Sequence, residues 1–282
     1  MAAPDKNHIL TVQNLSVFFG PTDTPAVDSV SLTLGAERLG IVGESGSGKS
    51  TLGRAIMRLL PPIGRIQADR LTFEGTSLLD KKERHLRALR GNRMALIMQD
   101  PRYSLNPVLP IGKQVAEAAL LHLSVGKREA QAMAAEMLVK VRIQDVERTM
   151  GLYPHQISGG MGQRVMIAMM LLARPRMVIA DEPTSALDVS VRGDVLTLLD
   201  ELVRENQAGL MLISHDIRMV AAFCERIIVM YKGRIVETLT RLDQAQHPYT
   251  RGLIAAMPDP RQPVLRLKTL DRSAIDLAEL KS

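Results

Sequence analysis

The stretch GESGSGKST, residues 43–51, follows directly on a short apolar run, RLGIVG, that is typical of a buried strand. It fits the pattern G-x-x-x-x-G-K-[ST]. Small residues let successive backbone N–H groups wrap a phosphate chain, and a helix that starts near Lys49 adds the positive end of its dipole. The stretch therefore predicts a nucleotide-phosphate site between a strand and a helix, with a flexible Gly/Ser turn as the alternative.

Each residue of this loop is a candidate contact for the nucleotide. We expect Lys49 to hold the β- and γ-phosphates and Ser50 to ligate magnesium through its hydroxyl. The full set of candidates is Gly43, Glu44, Ser45, Gly46, Ser47, Gly48, Lys49, Ser50 and Thr51.

Five short apolar runs, each followed by a polar or glycine residue, indicate the fold class. They are RLGIVG (38–43), MALIMQD (94–100), MVIADEP (177–183), LMLISHD (210–216) and RIIVMYKG (226–233). Continuous apolar strands separated by helical stretches predict an α/β fold with a mostly parallel sheet. Ligands gather at the carboxyl ends of such strands, so we expect the groups at four of these ends to converge. These groups are Gly43, Gln99, Asp181 and His215.

The remaining segments predict how the chain is divided. Near the N-terminus, ILTVQNLSVFF and AVDSVSLTL alternate with a period of two, which predicts an antiparallel β subdomain. A helical period begins near residue 105 and predicts a helical subdomain at about 105–165. The long apolar strands stop after residue 240, so we place the core domain at 8–240 and a C-terminal extension at 241–282.

The run MVIADEP places two acids side by side at the end of a strand. Asp181 is positioned to hold magnesium through water, and Glu182 to orient or deprotonate an attacking water molecule. An Asp-Glu-Pro turn with no metal role is the competing interpretation.

The composition of the chain excludes several classes of protein. The 282 residues carry a net charge of +6, and no apolar stretch approaches the roughly 20 residues of a membrane span. The start MAAPDKNH lacks the apolar core of a signal peptide, and the single cysteine, Cys224, excludes a disulfide framework and a cysteine-based zinc site. We expect a soluble cytoplasmic protein, and interpret the basic run KKERHLRALRGNR (81–93) as a solvated helix face.

Four further motifs resemble those of the ATP-binding cassette (ABC) ATPases. ISGGMGQR (157–164) resembles the family signature, QDP (99–101) the Q-loop, SALD (185–188) the D-loop and SHD (214–216) the switch histidine. Their order and spacing are similar over roughly residues 8–240. The resemblance implies a P-loop NTPase with a RecA-like sheet and an ATPase activity that uses ATP and Mg²⁺.

The resemblance also implies that two subunits share each ATP. Ser158 is a natural N-cap, and Gly159 and Gly160 expose backbone donors at a helix start, so this segment forms a second anion site. In the family it faces the γ-phosphate held by a partner subunit, and the D-loop Asp188 belongs to the same nucleotide site. Met161 departs from the simplest LSGGQ form of the signature.

Three roles remain to be assigned by resemblance. His215 is expected to donate a hydrogen bond to the γ-phosphate, and Gln99 to reach both magnesium and the attacking water. Phe19 matches the aromatic residue that stacks on adenine, although Phe18 is the alternative stacking residue.

The tail HPYTRGLIAAMP (247–258) and the stretches MQDPRYSLNP and PHQISGGM resemble ATPases of peptide and nickel importers. This implies a subunit that couples ATP hydrolysis to peptide uptake at the cytoplasmic face of the inner membrane. The implied partners are two transmembrane permeases, a solute-binding protein outside the membrane, and a second ATPase that is either a paralogue or a second copy. No nucleic acid is implied.

Residues 225–282 contain no cysteine, whereas many peptide-importer ATPases carry a cysteine cluster in this tail, so the sequence disfavours an iron–sulfur cluster. Import of nickel or of an opine-like metal chelate is therefore the alternative, and an exporter or a non-transport cassette is favoured less. The role of residues 259–282 is left open.

A DNA-repair cassette is disfavoured because the interval from Thr51 to Ile157 is too short for a coiled-coil arm. A translation-factor cassette would normally carry the motifs twice in one chain.

Overall fold

The computed structural model describes residues 8–22 and 24–257, except for the side chains of residues 189 and 190. The chain divides into two compact units. The first combines the residues up to 77 with those from 211 onward, and the second is residues 78–210. Residues 259–282, for which the sequence predicts no role, lie outside the described residues.

The first unit contains an antiparallel sheet built around one long strand. This strand, β1 (Leu10–Phe19), pairs with β2 (Val27–Leu34), β4 (Gly64–Gln67) and β5 (Arg70–Phe73), and β6 (Thr76–Ser77) pairs with β5. The buried apolar residues of β1 alternate as Leu10 and Val12 and then as Leu15 and Val17, with a register shift between the two pairs. The predicted antiparallel β subdomain is confirmed.

The first unit also contains the strands that carry the phosphate-binding loop. Strand β3 (Arg38–Val42) leads through residues 43–48 into α1 (Lys49–Ile56). Strand β10 (Arg226–Tyr231) runs parallel to β3 and antiparallel to β11 (Arg234–Leu239). The order of these strands is β11, β10, β3 and then β9 (Gly209–Ser214), whose last four residues belong to this unit.

Two helices complete the first unit. Helix α8 (Ile217–Phe223) follows β9, and α9 (Pro248–Ala256) follows β11. All described residues of β9 and the last five of β10 are buried, which explains why these runs are continuously apolar in the sequence.

The second unit contains a parallel strand pair and a group of helices. Strands β7 (Met94–Ile97) and β8 (Met177–Asp181) pair in parallel with Ile97 opposite Ala180. The helices are α2 (Glu83–Leu89), α3 (Ile111–His122), α4 (Lys127–Lys140), α5 (Val146–Gly151), α6 (Gly159–Leu171) and α7 (Val189–Glu205).

Helices α3 to α6 occupy the stretch where the sequence has a helical period. On α4 the buried side chains are those of Ala130, Ala134, Met137 and Leu138, which is the spacing of one face of a helix. Helix α3 contacts α4, α5 and α6. The helical character of this stretch is confirmed, and the boundary at residue 165 stays a prediction because α6 continues to Leu171.

Within the basic run, residues 83–89 form the short helix α2, which is exposed except for the buried Leu86 and the half-buried Leu89. Glu83 accepts hydrogen bonds from Arg90 at 2.8 Å and Arg87 at 3.3 Å. The bond from Arg90 contributes most to a lowered pKa of Glu83. The interpretation of this run as a solvated helix face is confirmed. Within the described ranges, no helix has the length and apolar content to cross a membrane.

Candidate functional site: a phosphate-binding loop and an acidic strand end

The phosphate-binding loop lies in the first unit between β3 and α1. A Cβ atom at Gly43 would lie 2.2 Å from the carbonyl oxygen of Met230, so only glycine fits this position. Gly48 is the N-cap of α1 and has a φ of 97°, a left-handed conformation that favours glycine. The helix begins at Lys49, as predicted.

Lys49 is buried inside this loop. Its Nζ donates hydrogen bonds to the carbonyl oxygens of Gly43 and Glu44, both at 2.8 Å, and to the hydroxyl of Ser47 at 3.3 Å. Ser50 and Thr51, in the first turn of α1, are half-buried, and Ser45 and Gly46 are exposed. A single loop therefore holds an ammonium group beside the N-terminus of a helix, which suits a phosphate group.

His215 directly follows β9, the neighbour of β3 in the strand order, and its residue is exposed. The next residue, Asp216, fixes the chain after the strand, because its carboxylate accepts a hydrogen bond from the N–H of Met219 at 2.9 Å and caps α8. Gly43 and His215 thus follow the last residues of neighbouring strands.

Phe18 and Phe19 end β1, and both are half-buried. The guanidinium of Arg65 lies 5.7 Å from the centre of the Phe18 ring, within the range of a cation–π contact. This contact does not decide between the two rings, so the assignment of Phe19 as the ring that stacks on a base stays a prediction.

The acidic strand end lies in the second unit. Asp181 is the last residue of β8 and is buried, and Glu182 follows it half-buried with a φ of 52°. Gln99 is exposed two residues after the end of β7. Strands β7 and β8 are parallel, with Ile97 opposite Ala180. Gln99 and Asp181 therefore lie at the same end of this strand pair, the carboxyl end.

The structure also contains a turn directly after Asp181, as the competing interpretation of the Asp-Glu-Pro stretch predicts. The carbonyl of Glu182 accepts hydrogen bonds from the N–H and the hydroxyl of Ser185, so residues 182–185 form a turn. In the part of the chain that the structure describes, no three His, Cys, Asp or Glu side chains cluster as a metal site.

The signature segment forms the start of the long helix α6. The hydroxyl of Ser158 accepts a hydrogen bond from the N–H of Met161 at 3.3 Å, so the predicted N-cap is confirmed. Gly159 is exposed, and a Cβ built on it would meet no atom within 4 Å. Asp188 is exposed at the N-cap position of α7.

A cavity of about 510 Å³ beside this segment was not predicted. Its lining includes Arg142, Arg148 and Arg164 together with Ser158 and Gly160. The guanidinium of Arg142 lies 2.8 Å from the carboxylate of Glu201, and that of Arg164 lies 3.8 Å from the carboxylate of Asp194. The positive charge beside the signature is therefore partly balanced. These arginines are scattered over 142–164, so no motif in the sequence grouped them.

No role was predicted for Tyr249 of the HPYT stretch, yet it reaches the phosphate-binding loop. Its hydroxyl oxygen accepts a hydrogen bond from the backbone N–H of Glu44 at 2.8 Å. The two residues are far apart in the sequence, and resemblance of the tail to importer ATPases was the one signal that singled out this stretch.

A strand, a glycine-rich loop around a buried lysine and a helix, set in an α/β fold, define a P-loop NTPase. The family model described as "ABC transporter" matches residues 27–185, which is more than half of the chain. The chain belongs to the ABC transporter family, as its motifs predicted, and it is an ATP-hydrolysing cassette.

Relatives and solved structures agree with this assignment. The chain is 46% identical over 258 residues to the oligopeptide transport ATP-binding protein OppD of Salmonella typhimurium, covering 89% of this chain and 77% of OppD. It is 46% identical over 268 residues to the dipeptide transport ATP-binding protein DppD of Haemophilus influenzae, covering 93% and 81%. The dimeric ATP-binding cassette MJ0796, bound to ADP and phosphate in a post-hydrolysis state, superposes with a TM-score of 0.72 at 28% identity, covering 82% of this chain and 98% of MJ0796.

Proposed function

We propose that this chain is the ATP-hydrolysing subunit of an ABC importer of peptides. The observation that supports the substrate class is the 46% identity, over about nine tenths of the chain, to ATP-binding proteins of oligopeptide and dipeptide transport. Proteins this similar over their length share their fold and their site, whereas the solute itself is selected by other subunits. The proposal therefore names a class of substrate and not one peptide.

ATP binds with its phosphates in the loop 43–51 and its adenine on the ring of Phe19. When ATP binds, the ammonium of Lys49 gives up its hydrogen bonds to the carbonyls of Gly43 and Glu44 and donates instead to oxygens of the β- and γ-phosphates. The N–H groups at the start of α1 donate further hydrogen bonds to the phosphates. Ser50, Gln99 and Asp181 would hold Mg²⁺, which would neutralise negative charge on the phosphates.

Hydrolysis proceeds by in-line attack of water on the γ-phosphorus. The bond from the water oxygen to phosphorus forms as the bond to the β–γ bridging oxygen breaks, and the electron pair stays with ADP. Glu182 orients the water and accepts its proton, while Gln99 positions it and His215 donates a hydrogen bond to the γ-phosphate. Lys49 compensates the charge that moves toward ADP.

Each ATP is shared between two ATPase subunits. The capped start of α6, with Ser158, Gly159 and Gly160, and the D-loop Asp188 face the γ-phosphate on the partner's loop. ATP closes this dimer and hydrolysis opens it, so the subunits act as a two-state clamp. We assign the clamp to a domain at 8–240 with its helical part at about 105–165, followed by an extension at 241–282.

The clamp works on the cytoplasmic face of the inner membrane against two transmembrane permeases, with a solute-binding protein on the other side. The second ATPase is either a paralogue or a second copy of this chain. Nucleic acid has no place in this assembly.

The decisive experiment uses a tagged Glu182→Gln variant that is purified from native membranes with ATP and Mg²⁺. We expect mass spectrometry to identify two polytopic membrane proteins and a second ATPase, and the solute-binding protein of the same system to bind peptides. Co-purification of nucleic acid or of soluble proteins alone would contradict the transport proposal, while leaving the ATPase in place.

Nickel or a metal chelate is the second candidate substrate class. One observation supports it, the absence of cysteine from residues 225–282. Uptake of radiolabelled Ni²⁺, with and without a chelator, by cells that contain or lack this chain separates it from peptide import. Loss of nickel uptake without loss of peptide uptake would favour the alternative.

A further inference from the structure

The helix after the last strand touches the phosphate-binding loop through one side chain. Tyr249, the second residue of α9, is fully buried, and its hydroxyl accepts a hydrogen bond from the N–H of Glu44 at 2.8 Å. Its ring packs on that of Tyr231 at the end of β10, with the ring centres 4.3 Å apart and the planes inclined by 36°. The hydroxyl therefore approaches the loop from a fixed position.

This hydrogen bond acts on the peptide group that holds Lys49. The N–H of Glu44 and the carbonyl of Gly43 belong to one planar peptide unit, in which they point in opposite directions. The carbonyl accepts a hydrogen bond from the Lys49 ammonium at 2.8 Å, and the N–H donates to Tyr249. The peptide is thus held at both ends, which fixes the rotation of its plane.

The start of α9 is itself anchored to the strand before it. The carboxylate of Glu237, on β11, accepts hydrogen bonds from the N–H groups of Gln246 at 2.7 Å and His247 at 3.2 Å. The Nδ1 of His247 then caps the helix by accepting from the N–H of Tyr249 at 3.2 Å. These bonds fix the backbone from which the Tyr249 ring projects.

We propose that Tyr249 is a positioning residue for ATP binding. Its hydroxyl holds the peptide between Gly43 and Glu44 in one orientation, so the loop is ordered before ATP arrives and loses less conformational freedom on binding, and the C-terminal helix thereby tunes the affinity of the loop for phosphate. This inference rests on the proposed role of residues 43–51 as the ATP phosphate site. Tyr249 contacts the loop and not the nucleotide.

The test is Tyr249→Phe, which removes the hydroxyl and keeps the ring against Tyr231. Calorimetric titration of the purified full chain with ATP and Mg²⁺ gives the affinity, and steady-state hydrolysis by the transporter complex gives kcat and KM. We expect the Kd and the KM for ATP to rise roughly threefold to tenfold, the range of one hydrogen bond, and kcat to change less. A merely structural loss would lower the active fraction, and hence the apparent kcat, without raising KM.

Leu253→Ala is the matched control in the same helix. Leu253 is buried, so its truncation should lower the melting temperature more than Tyr249→Phe does, while the hydroxyl contact to Glu44 is kept. The proposal is overturned if Tyr249→Phe binds ATP as tightly as the wild type. It is also overturned if Leu253→Ala weakens ATP binding as much as Tyr249→Phe.

Lys49→Ala separates this inference from the proposed function. Normal ATP binding by Lys49→Ala would contradict the assignment of residues 43–51 as the ATP phosphate site. Loss of binding in Lys49→Ala together with normal binding in Tyr249→Phe would remove only the role of Tyr249.

Discussion

The carbonyl oxygen of Glu182 accepts hydrogen bonds from the N–H of Ser185 at 3.2 Å and from its hydroxyl at 3.1 Å. This pair closes a turn directly after β8 and holds Glu182 at a φ of 52°. A left-handed conformation at a residue other than glycine costs on the order of 1–3 kcal/mol and persists where the surroundings enforce it. The turn and the acidic site are therefore not exclusive, because these two hydrogen bonds use the main-chain carbonyl of Glu182 and not its carboxylate.

Glu182→Gln keeps this backbone and removes the carboxylate that we assign as the base. We expect turnover to fall by roughly 10²–10⁴-fold with ATP affinity little changed, since a general base acts in the chemical step. Light scattering in ATP and Mg²⁺ should then show a trapped dimer. Glu136→Gln, at an exposed position of α4, is the control and should hydrolyse ATP normally. Undiminished hydrolysis by Glu182→Gln would remove the role given to Glu182.

Lys49→Ala should abolish most ATP binding. We assign its ammonium to the β- and γ-phosphate oxygens, and hydrogen bonds to a charged group contribute about 1.5–3 kcal/mol each, so we expect the Kd to rise by more than about tenfold. Calorimetric titration with ATP measures this directly. Arg54→Ala is the matched control, because Arg54 is an exposed cation in the same helix and should leave the Kd unchanged.

Gly159→Ala tests whether the signature serves a partner subunit. The added methyl group would meet no atom within 4 Å, so the fold and the ATP affinity of the isolated chain should be unaffected. At the face between two subunits the same methyl group would stand against the shared nucleotide, and we expect hydrolysis to drop at least tenfold. Gly151→Ala, also in open space, is the control. Equal activity of the two variants would show that Gly159 does not approach a nucleotide.

The elements that the sequence predicted well are those whose pattern is local. Five continuous apolar runs became β3, β7, β8, β9 and β10, and the alternating runs became the antiparallel pair of β1 and β2. The short strands β4, β5 and β6 and the strand β11 were not predicted. They have no continuous apolar run and form by pairing with β1, β5 or β10, which the residues of each short strand do not specify by themselves.

The features of the candidate site also divide into local ones, which the sequence predicted, and non-local ones, which it did not. The loop around Lys49 and the cap at Ser158 could be predicted, because the geometry of each is contained in a few consecutive residues. The contact of Tyr249 with Glu44 could not be predicted, because it depends on how the chain returns after β11 to the end of β3. The left-handed conformation of Glu182 likewise requires the turn to Ser185, for which the sequence offers only the Asp-Glu-Pro cue.

His122 predicts how stability depends on pH. It is the last residue of α3, and its ring lies over the backbone of Gly91, where a Cβ atom would come within 2.2 Å of its Nε2. Burial lowers the pKa of His122 below its ordinary value of 6.5, because the charged imidazolium loses hydration in the folded protein. The unfolded chain therefore binds this proton first as the pH falls.

It follows that His122 makes the protein less stable as the pH falls below about 6.5, until the pKa of the folded state is reached, and has no such effect above that range. Melting temperatures between pH 7.5 and 5.5 measure this for the wild type, for His122→Gln and for His155→Gln, which alters an exposed histidine. The wild type and His155→Gln should lose stability together across this range, whereas His122→Gln should lose less. Parallel curves for all three proteins would show that His122 is not the group that titrates.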